Sequence, residues 1–488
     1  MNGIPPGGIS RHRFDPSILR EYDIRGVWGE TLGAADAHAV GRSFAAIVRR
    51  SPDAPENRRP RVVVGRDGRL SSPQLEEALV AGLCEGGVDV VRIGLSPSPM
   101  LYFAERSLAD VEAGIQVTGS HNPRDHNGFK IVLHGAPFFG AALGELGRIA
   151  QEGDWLDNGS IGPGLAESRD VSAGWLDALA SGLNPLGAGA EGHDLAVGLK
   201  AMRIGWDCGN GASGPVVERL VRRLPGEHHV LFSDVDGQFP NHHPDPTIEA
   251  NLADLRSLVL ANKLDFGLAF DGDADRLGVI DGKGRVVWAD QLLSIFATDV
   301  LAANPGAAVV GDVKMSSRVF GGVEEQSGRA IMARSGHSPI KAAMKQNGAL
   351  LGGEMSGHFF FADRYLGFDD GIYAAIRLIA ATIGRGLSLT ALVDAMPETF
   401  ATPELRFPVA AERRLAVVEE VAARLDEAGA QVSRIDGVRV TCSDGWWLLR
   451  ASNTQDMLTA RAESHNSKGL QRLVDTIDAQ LALSGVRR

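Results

Sequence analysis

The sequence predicts an α/β protein of several domains, three of them built on one plan, with a smaller α+β domain at the C-terminal end. Three observations carry that expectation. A chain of 488 residues is too long for one hydrophobic core and calls for roughly three or four domains of about 100–150 residues each. One strand-turn-helix pattern occurs three times, far apart in the chain, which suggests related domains rather than a short-period solenoid. Beyond about residue 407 the texture changes to short alternating strands framed by helical segments.

Taken in order, the chain carries a small polar cluster, Glu21-Tyr-Asp-Ile-Arg-Gly26, ahead of a helical stretch over 34–49. Residues 51–60, rich in Pro, Asn and Arg, read as a solvated connection. The first copy of the repeated pattern follows as Arg61-Val-Val-Val-Gly-Arg-Asp-Gly-Arg-Leu-Ser-Ser-Pro73. It is a continuous apolar strand, a Gly-rich turn and a helix start, with Ser72 as cap and Pro73 in the first turn. The other copies are Met202-Arg-Ile-Gly-Trp-Asp-Cys-Gly-Asn-Gly-Ala-Ser-Gly214 and Ala307-Ala-Val-Val-Gly-Asp-Val-Lys-Met-Ser-Ser317. Each has an Asp just after its strand and a small-residue turn containing Ser. Continuous apolar strands alternating with helices favour mixed or largely parallel sheets covered on both faces. In the last part a helix over 411–428 precedes strands at 437–442 and 445–450, a Ser/Asn/Thr turn and a closing helix over 469–483.

Composition excludes several function classes. An apolar content of 44% with 23% charged residues is that of a folded soluble domain. A net charge of −12 leaves no basic stripe for a phosphate backbone, so nucleic acid is not expected as a partner and an anionic substrate must be held by local cations. Cys84, Cys208 and Cys442 are far apart and in no metal-ligand spacing, which reads as reduced structural thiols. No secretory signal is visible at the start, and the most apolar stretch, 292–303, is interrupted by Asp299 and too short to span a bilayer. The expectation is a cytoplasmic protein without a membrane partner.

Four loops carry chemistry. Thr118-Gly-Ser-His-Asn-Pro123 lies between two apolar runs and holds a hydroxyl, Ser120, in a turn of fixed conformation, which suggests a presented side chain. A bare serine is a poor nucleophile and needs a base, a metal or a prior modification. Asp271-Gly-Asp-Ala-Asp-Arg276 sets three carboxylates at alternate positions, where Gly272 and Ala274 keep the loop narrow. Their mutual repulsion is offset by a hard divalent cation with oxygen ligands, such as Mg2+. An EF-hand would need Gly at the sixth position and Glu at the twelfth, where Arg276 and Gly282 stand. A phosphatase with an aspartate nucleophile is a weaker reading, because Asp275 occupies the place of its expected hydroxyl residue. Gly352-Gly-Glu-Met-Ser-Gly-His358 offers an acceptor, a hydroxyl and an imidazole suited to vicinal sugar hydroxyls. Arg450-Ala-Ser-Asn-Thr-Gln-Asp456, with Arg461 beyond it, offers a guanidinium fork, hydroxyls and turn amides to a phosphate dianion. Taken singly, Lys130, Lys314, His337 and Lys341 default to a solvated surface.

Together, in this order, these loops resemble the α-D-phosphohexomutases, and within them the phosphomannomutase/phosphoglucomutase type. The resemblance covers essentially the whole chain: Tyr22-Asp-Ile-Arg-Gly26, Thr118 to Pro123 with Asn127-Gly-Phe-Lys130, Asp271 to Arg276, Gly353-Glu-Met-Ser-Gly-His358 and Arg450-Ala-Ser-Asn-Thr454. It implies three similar mixed-sheet α/β domains and a smaller C-terminal α+β domain around a central cleft. The expected limits are 1–166 with the phosphoserine loop, 167–285 with the metal loop, 286–398 with the sugar loop and 399–488 with the phosphate loop.

The resemblance also implies roles. Ser120 is carried as phosphoserine and, with Asp271, Asp273 and Asp275, holds Mg2+. Lys130 and His358, helped by Arg25, serve as general acid and base, and Arg276 adds positive charge. Glu354 and Ser356 grip sugar hydroxyls, while Arg450, Ser452, Asn453 and Thr454 hold the non-reacting phosphate. Tyr22, Lys314 and His337, in Gly336-His-Ser-Pro-Ile-Lys341, line the cleft. His121, adjacent to Ser120, is expected to shape the loop or touch phosphate, being poorly placed as a base. The implied reaction moves a phosphoryl group between positions 1 and 6 of mannose or glucose phosphate, with hexose 1,6-bisphosphate as intermediate and activator. A monomer or weak homodimer is expected. A mutase for an amino sugar phosphate and a non-catalytic sugar-phosphate binding protein are the alternatives. One departure stands out: many relatives continue from the phosphate-loop Thr into an acidic residue and a proline, whereas Gln455 and Asp456 follow here.

Overall fold

A computed structural model describes residues 11–156, 162–183, 195–452 and 457–487. Among these residues the strands form four sheets, of seven, five, four and six strands. The first three share a local plan. Each repeated motif supplies a strand inside its sheet: Arg61–Arg66, Arg203–Asp207 and Ala308–Asp312. A second strand runs parallel beside it, respectively Ala113–Val117, Phe266–Phe270 and Leu351–Gly353. That second strand turns back as an antiparallel hairpin, into His126–Leu133, Leu277–Asp281 and Phe359–Phe361. The loops at the tips of these three hairpins are the ones that carry Ser120, the aspartates and Glu354. Three chemically different loops therefore occupy one topological position, at the carboxyl ends of parallel strands, where open α/β sheets place their ligands.

The strand pairings make each of these sheets mixed. In the first, Arg61–Arg66 also pairs in parallel with Asp89–Leu95, which pairs with Ala166–Ser168, while Ile24–Val27 lies antiparallel on His126–Leu133. Helices start where the repeated turns end. Ser72–Glu85 has Ser71 as its N-cap residue and Pro in its first turn, one residue earlier than the sequence suggests. Ser316 caps Ser317–Glu325 through a side-chain bond to the Arg318 amide, which satisfies one of the unpaired donors at a helix start.

The C-terminal sheet is antiparallel throughout, with Met457–Ser464, Gly445–Ala451 and Val438–Cys442 in a row. The helices Ala411–Glu427 and Ser467–Leu483 complete it. One continuous apolar cluster reaches from Val63 to Leu392 and so ties the first three sheets together. The C-terminal sheet has a core of its own around Val421, Trp447, Leu458 and Ile477. Its apolar contact with the rest is small: Trp446 and Leu448 against Val313, with Met332 beside them. Polar links do much of the docking. Buried Arg439 lies 3.7 Å above the Trp446 ring and donates to the carbonyls of Val313 and Met315, and Glu463 accepts from Ser317 and Trp446.

The cysteines are free, with Cys84 half-buried, Cys208 buried and Cys442 exposed. Burial pushes the Cys84 thiol up to about 11 and the Cys208 thiol higher still. Because the thiolate is the reactive form, a disulfide reagent at pH 8 is expected to titrate Cys442 alone in a fast phase; rapid reaction of all three thiols in the native protein would contradict this arrangement. Among the described residues no helix is long and apolar enough to cross a membrane.

Candidate active site

The serine loop is held from beneath by residues of the first repeated motif. Asp67, at the end of its strand, accepts from Thr118 Oγ1 at 2.8 Å and from the Gly119 amide at 3.2 Å. Thr118 Oγ1 in turn accepts the Ser120 amide at 2.8 Å. Arg69 is buried under the loop and spreads its guanidinium over four carbonyls, those of Ser120, Asn122, Pro123 and His126, at 2.6–2.9 Å. These contacts pin Ser120 at φ +49°, a left-handed conformation that a non-glycine residue adopts only when its surroundings impose it. Arg69→Lys keeps the charge but cannot fork to four acceptors. It is expected to cost about 2–4 kcal/mol through the carbonyls it leaves buried and unpaired, measured by denaturant unfolding.

Ser120 is not exposed, contrary to the sequence expectation; its relative exposure is 1%. The loop Asp271 to Arg276 covers it. Ser120 Oγ donates to Asp271 Oδ2 at 2.8 Å, and a Cβ on Gly272 would lie 2.5 Å from the Ser120 carbonyl. The small residue at 272 is what lets two loops from different domains touch. His121 also departs from expectation, since its Nδ1 sits 3.2 Å from Ser120 Oγ. Burial first, then the charges of Arg276, Arg25 and Lys130, hold His121 well below the usual histidine range, so it is a neutral imidazole beside the hydroxyl. From the second domain His243 meets the His121 carbonyl at 2.5 Å.

Asp271, Asp273 and Asp275 are fully buried, and each offers a carboxylate oxygen within 4.8 Å of the others. Asp273 Oδ1 is buried with no hydrogen-bond partner. Three converging hard oxygen donors with unused lone pairs suit an octahedral divalent cation. Burial, then the charges of Asp275 and Asp273, push the Asp271 carboxyl well above the usual range, both penalties that a bound cation would offset. Lys130 Nζ contacts Asp273 Oδ2 at 2.6 Å and also Asp275 Oδ2. Burial opposes its charge, but Asp273 and Asp275 prevail and hold it well above the usual lysine range. Ser98, buried at the start of the helix Ser98–Ser107, donates to Asp273 Oδ2 at 2.5 Å and its amide meets the Asp273 carbonyl.

The loop Gly352 to His358 stands against the loop Asp271 to Arg276. His358 Nε2 lies 3.2 Å from Asp275 Oδ1, and its Nδ1 faces Ser356 Oγ at 2.9 Å and Glu354 Oε2 at 3.1 Å. Burial opposes its protonation, yet Asp275 and the hydrogen bonds to Asp275 and Glu354 bring it up to about 9, so His358 is a cation at neutral pH. Lys314 Nζ reaches Glu354 at 3.9 Å and Asp312 at 3.6 Å. Arg276 stands between the loops, its NH2 3.5 Å from His121 Nε2 and its Nε 3.4 Å from His358 Nε2. Arg25 donates to Asn122 Oδ1 at 2.9 Å and pairs with Asp23.

His337 and Lys341 approach the same centre through Asp369, at 3.7 and 2.8 Å, and the His337 and His358 rings lie 5.8 Å apart. The surface positions suggested for Lys130, Lys314, His337 and Lys341 are thus overturned; none of the four is exposed, because carboxylates of neighbouring loops bury and balance them. Tyr22 reaches across the cleft to donate to the Ser335 carbonyl at 2.9 Å. Arg450 and Ser452 are largely buried at the end of their strand. Asn453 and Thr454, with Gln455 and Asp456, lie outside the described residues.

Sequence reasoning missed Asp67, Arg69, Ser98, His243, Asp312 and Asp369. For two of the residues behind the loops a signal existed: an Asp closes each repeated strand, and in two domains it reaches the functional loop. Asp67 holds the serine loop, while Asp312 accepts from Ser335 Oγ at 2.8 Å and lies 3.4 Å from the Met355 amide. Asp207 instead holds Gly209 and His242.

A serine apposed to a carboxylate cluster, with cationic and polar side chains converging on it from neighbouring domains, is the arrangement expected of the phosphohexomutase class. Profiles for phosphoglucomutase/phosphomannomutase match in order: alpha/beta/alpha domain I over 16–156, domain II over 194–284, domain III over 288–400 and the C-terminal domain over 404–480. The chain belongs to the phosphoglucomutase/phosphomannomutase family. It is 42% identical over 465 residues to the phosphomannomutase/phosphoglucomutase of Pseudomonas putida, covering 95% of each chain. It is 40% identical over 465 residues to the phosphoglucomutase of Neisseria gonorrhoeae, covering 95% of this chain and 96% of that one. A crystal structure of a phosphoglucomutase/phosphomannomutase family protein from Burkholderia thailandensis superposes with a TM-score of 0.86 at 38% identity, over 97% of this chain and 98% of that one.

Proposed function

We propose that this chain interconverts hexose 1-phosphate and hexose 6-phosphate, for mannose, glucose or both, by passing a phosphoryl group through Ser120. The observation that carries the reading is the apposition of Ser120 Oγ to Asp271 at 2.8 Å, with Lys130, Arg276 and His358 held as cations around it. Phosphoryl transfer needs positioning and positive charge more than covalent machinery, and that is what these side chains offer. The domain limits 1–166, 167–285, 286–398 and 399–488 divide the chain into one functional loop each.

Asp271, Asp273, Asp275 and an oxygen on Ser120 would hold Mg2+. When bound it would withdraw electron density from the phosphoryl group. Phosphoserine at 120 gives its phosphoryl group to the free hydroxyl of the sugar, and the bisphosphate, once turned around, returns its other phosphate to the same serine. Lys130 and Arg276 stabilise charge on the transferring oxygens. Lys130 and His358, the latter oriented by Ser356, Glu354 and Asp275, act as the acid-base pair: one takes the proton of the attacking hydroxyl and the other gives a proton to the leaving oxygen, while Arg25 stays a cation beside them. Glu354 and Ser356 accept and donate to hydroxyls at carbons 3 and 4, which mannose and glucose share. Arg450, Ser452, Asn453 and Thr454 bind the non-reacting phosphate, with Tyr22, Lys314 and His337 lining the path between. Side-by-side assay of mannose 1-phosphate, glucose 1-phosphate and an N-acetylglucosamine phosphate, with Mg2+ and glucose 1,6-bisphosphate, should show turnover of one or both plain hexose phosphates. Turnover of the amino sugar alone, or release of inorganic phosphate at the rate of substrate loss, would overturn the reading.

A further inference from the structure

The guanidinium assigned to the phosphate already holds an anion, and that anion belongs to the protein. Arg450 Nε lies 2.9 Å from Asp436 Oδ2, with both side chains 9% exposed. The contact is built into the turn. Gly437 has φ +77°, and a Cβ there would stand 2.3 Å from the Leu449 carbonyl and 2.8 Å from Arg450 Cβ. The turn carrying Asp436 is therefore pressed against the strand carrying Arg450. The same Oδ2 accepts the Ser335 amide at 3.1 Å, across to the third sheet's domain. Ser335 connects onward, its hydroxyl to Asp312 at 2.8 Å and its carbonyl to the Tyr22 hydroxyl at 2.9 Å. Asp312 is also 3.6 Å from Lys314, which is 3.9 Å from Glu354.

We infer that Asp436 is a positioning residue that weakens phosphate binding at Arg450 by competing for the same guanidinium, and so keeps the hexose bisphosphate free to turn. The inference rests on the mutase reading above and deepens it. An intermediate that must present each of its two phosphates in turn to one site cannot be held there as tightly as the site allows. Binding that is equally strong in the ground state and the transition state lowers KM without raising kcat. A carboxylate 2.9 Å from the guanidinium opposes an incoming dianion through like charge, and it does so in a buried setting where screening is weak. It also fixes the Nε edge of Arg450 and ties that strand to the Ser335 turn, so an incoming phosphate must be accommodated at the other edge of the fork.

A purely structural ion pair makes the opposite prediction, since removing it would free Arg450 to wander and weaken anion binding. The sign of the change therefore decides. Asp436→Asn keeps an acceptor for Arg450 Nε and for the Ser335 amide while removing the charge. In the full chain with Mg2+, titration calorimetry with inorganic phosphate is expected to give a Kd about tenfold lower than wild type. Steady-state assay with glucose 1-phosphate should give a KM lower by a similar factor and a kcat lower by about threefold, as turning and release slow. Asp436→Ser, a shorter uncharged residue, should shift both quantities in the same direction, and it carries the test if the Asn variant does not fold by circular dichroism. An unchanged or higher phosphate Kd in a folded variant overturns the inference. A wild-type enzyme that turns over no hexose phosphate overturns the mutase reading instead, while the phosphate titrations still decide whether Asp436 competes for Arg450.

Discussion

Ser120→Ala is expected to lower kcat by at least about a thousandfold while changing the Kd for a hexose phosphate by no more than about threefold. The hydroxyl contributes one hydrogen bond, to Asp271 at 2.8 Å, and a weaker one with His121 at 3.2 Å. The backbone that shapes its loop is held independently by Asp67, Thr118 and Arg69. Loss of one hydroxyl therefore leaves the cleft standing and removes only the atom that carries the phosphoryl group. Added bisphosphate should not restore turnover. A variant that worked at the wild-type rate with added bisphosphate would mean direct transfer between sugars, with Ser120 a bystander.

The second large effect is an opposition between activity and stability. Asp271→Asn is expected to lower activity by about a hundredfold or more, because it removes a full charge from the donor set for the cation. The same change should raise the stability of the metal-free protein by about 1–3 kcal/mol, since it deletes the most repelled of three buried carboxylates. The sign with pH follows. Burial, then Asp275 and Asp273, raise the Asp271 carboxyl in the folded state, so the folded protein binds this proton more tightly than the unfolded chain does. Its contribution is full below the ordinary carboxylate range and is lost as pH rises toward the folded value. Thermal unfolding in chelator should thus show wild type losing ground to the variant as pH increases. Mg2+ should raise the wild-type midpoint and barely move that of Asp271→Asn. Equal Mg2+ stabilisation of both proteins would place the cation elsewhere.

Much of this was legible before folding because the chemistry sits in short contiguous loops. Asp271 to Arg276 states its own electrostatic problem, and the strand-turn pattern with its closing Asp announces three related domains. What could not be read were the contacts that depend on strands far apart in the chain. Arg69 clamps the loop around residue 120 because parallel pairing of Arg61–Arg66 with Ala113–Val117 sets their ends side by side. Asp436 meets Ser335 because the C-terminal domain docks through Arg439, Trp446 and Glu463. Burial was the least legible property. Ser120 is covered by Gly272, and Lys130, His337 and Lys341 are drawn inside by Asp273, Asp275 and Asp369. A lone lysine on a strand looks solvated until the opposing domain supplies its carboxylate.

On the proposed mechanism, Ser120 gives and regains one phosphoryl group in each cycle. After incubation with glucose 1,6-bisphosphate carrying 18O-labelled phosphates, peptide mass spectrometry before and after a rapid-quench chase with unlabelled glucose 1-phosphate follows that group. The expected result is labelled phosphate on Ser120 and on no other residue, with the label passing from the serine to the sugar within a single turnover and unlabelled phosphate taking its place. Turnover that continues while Ser120 stays unphosphorylated, or while its phosphate fails to exchange, would contradict it.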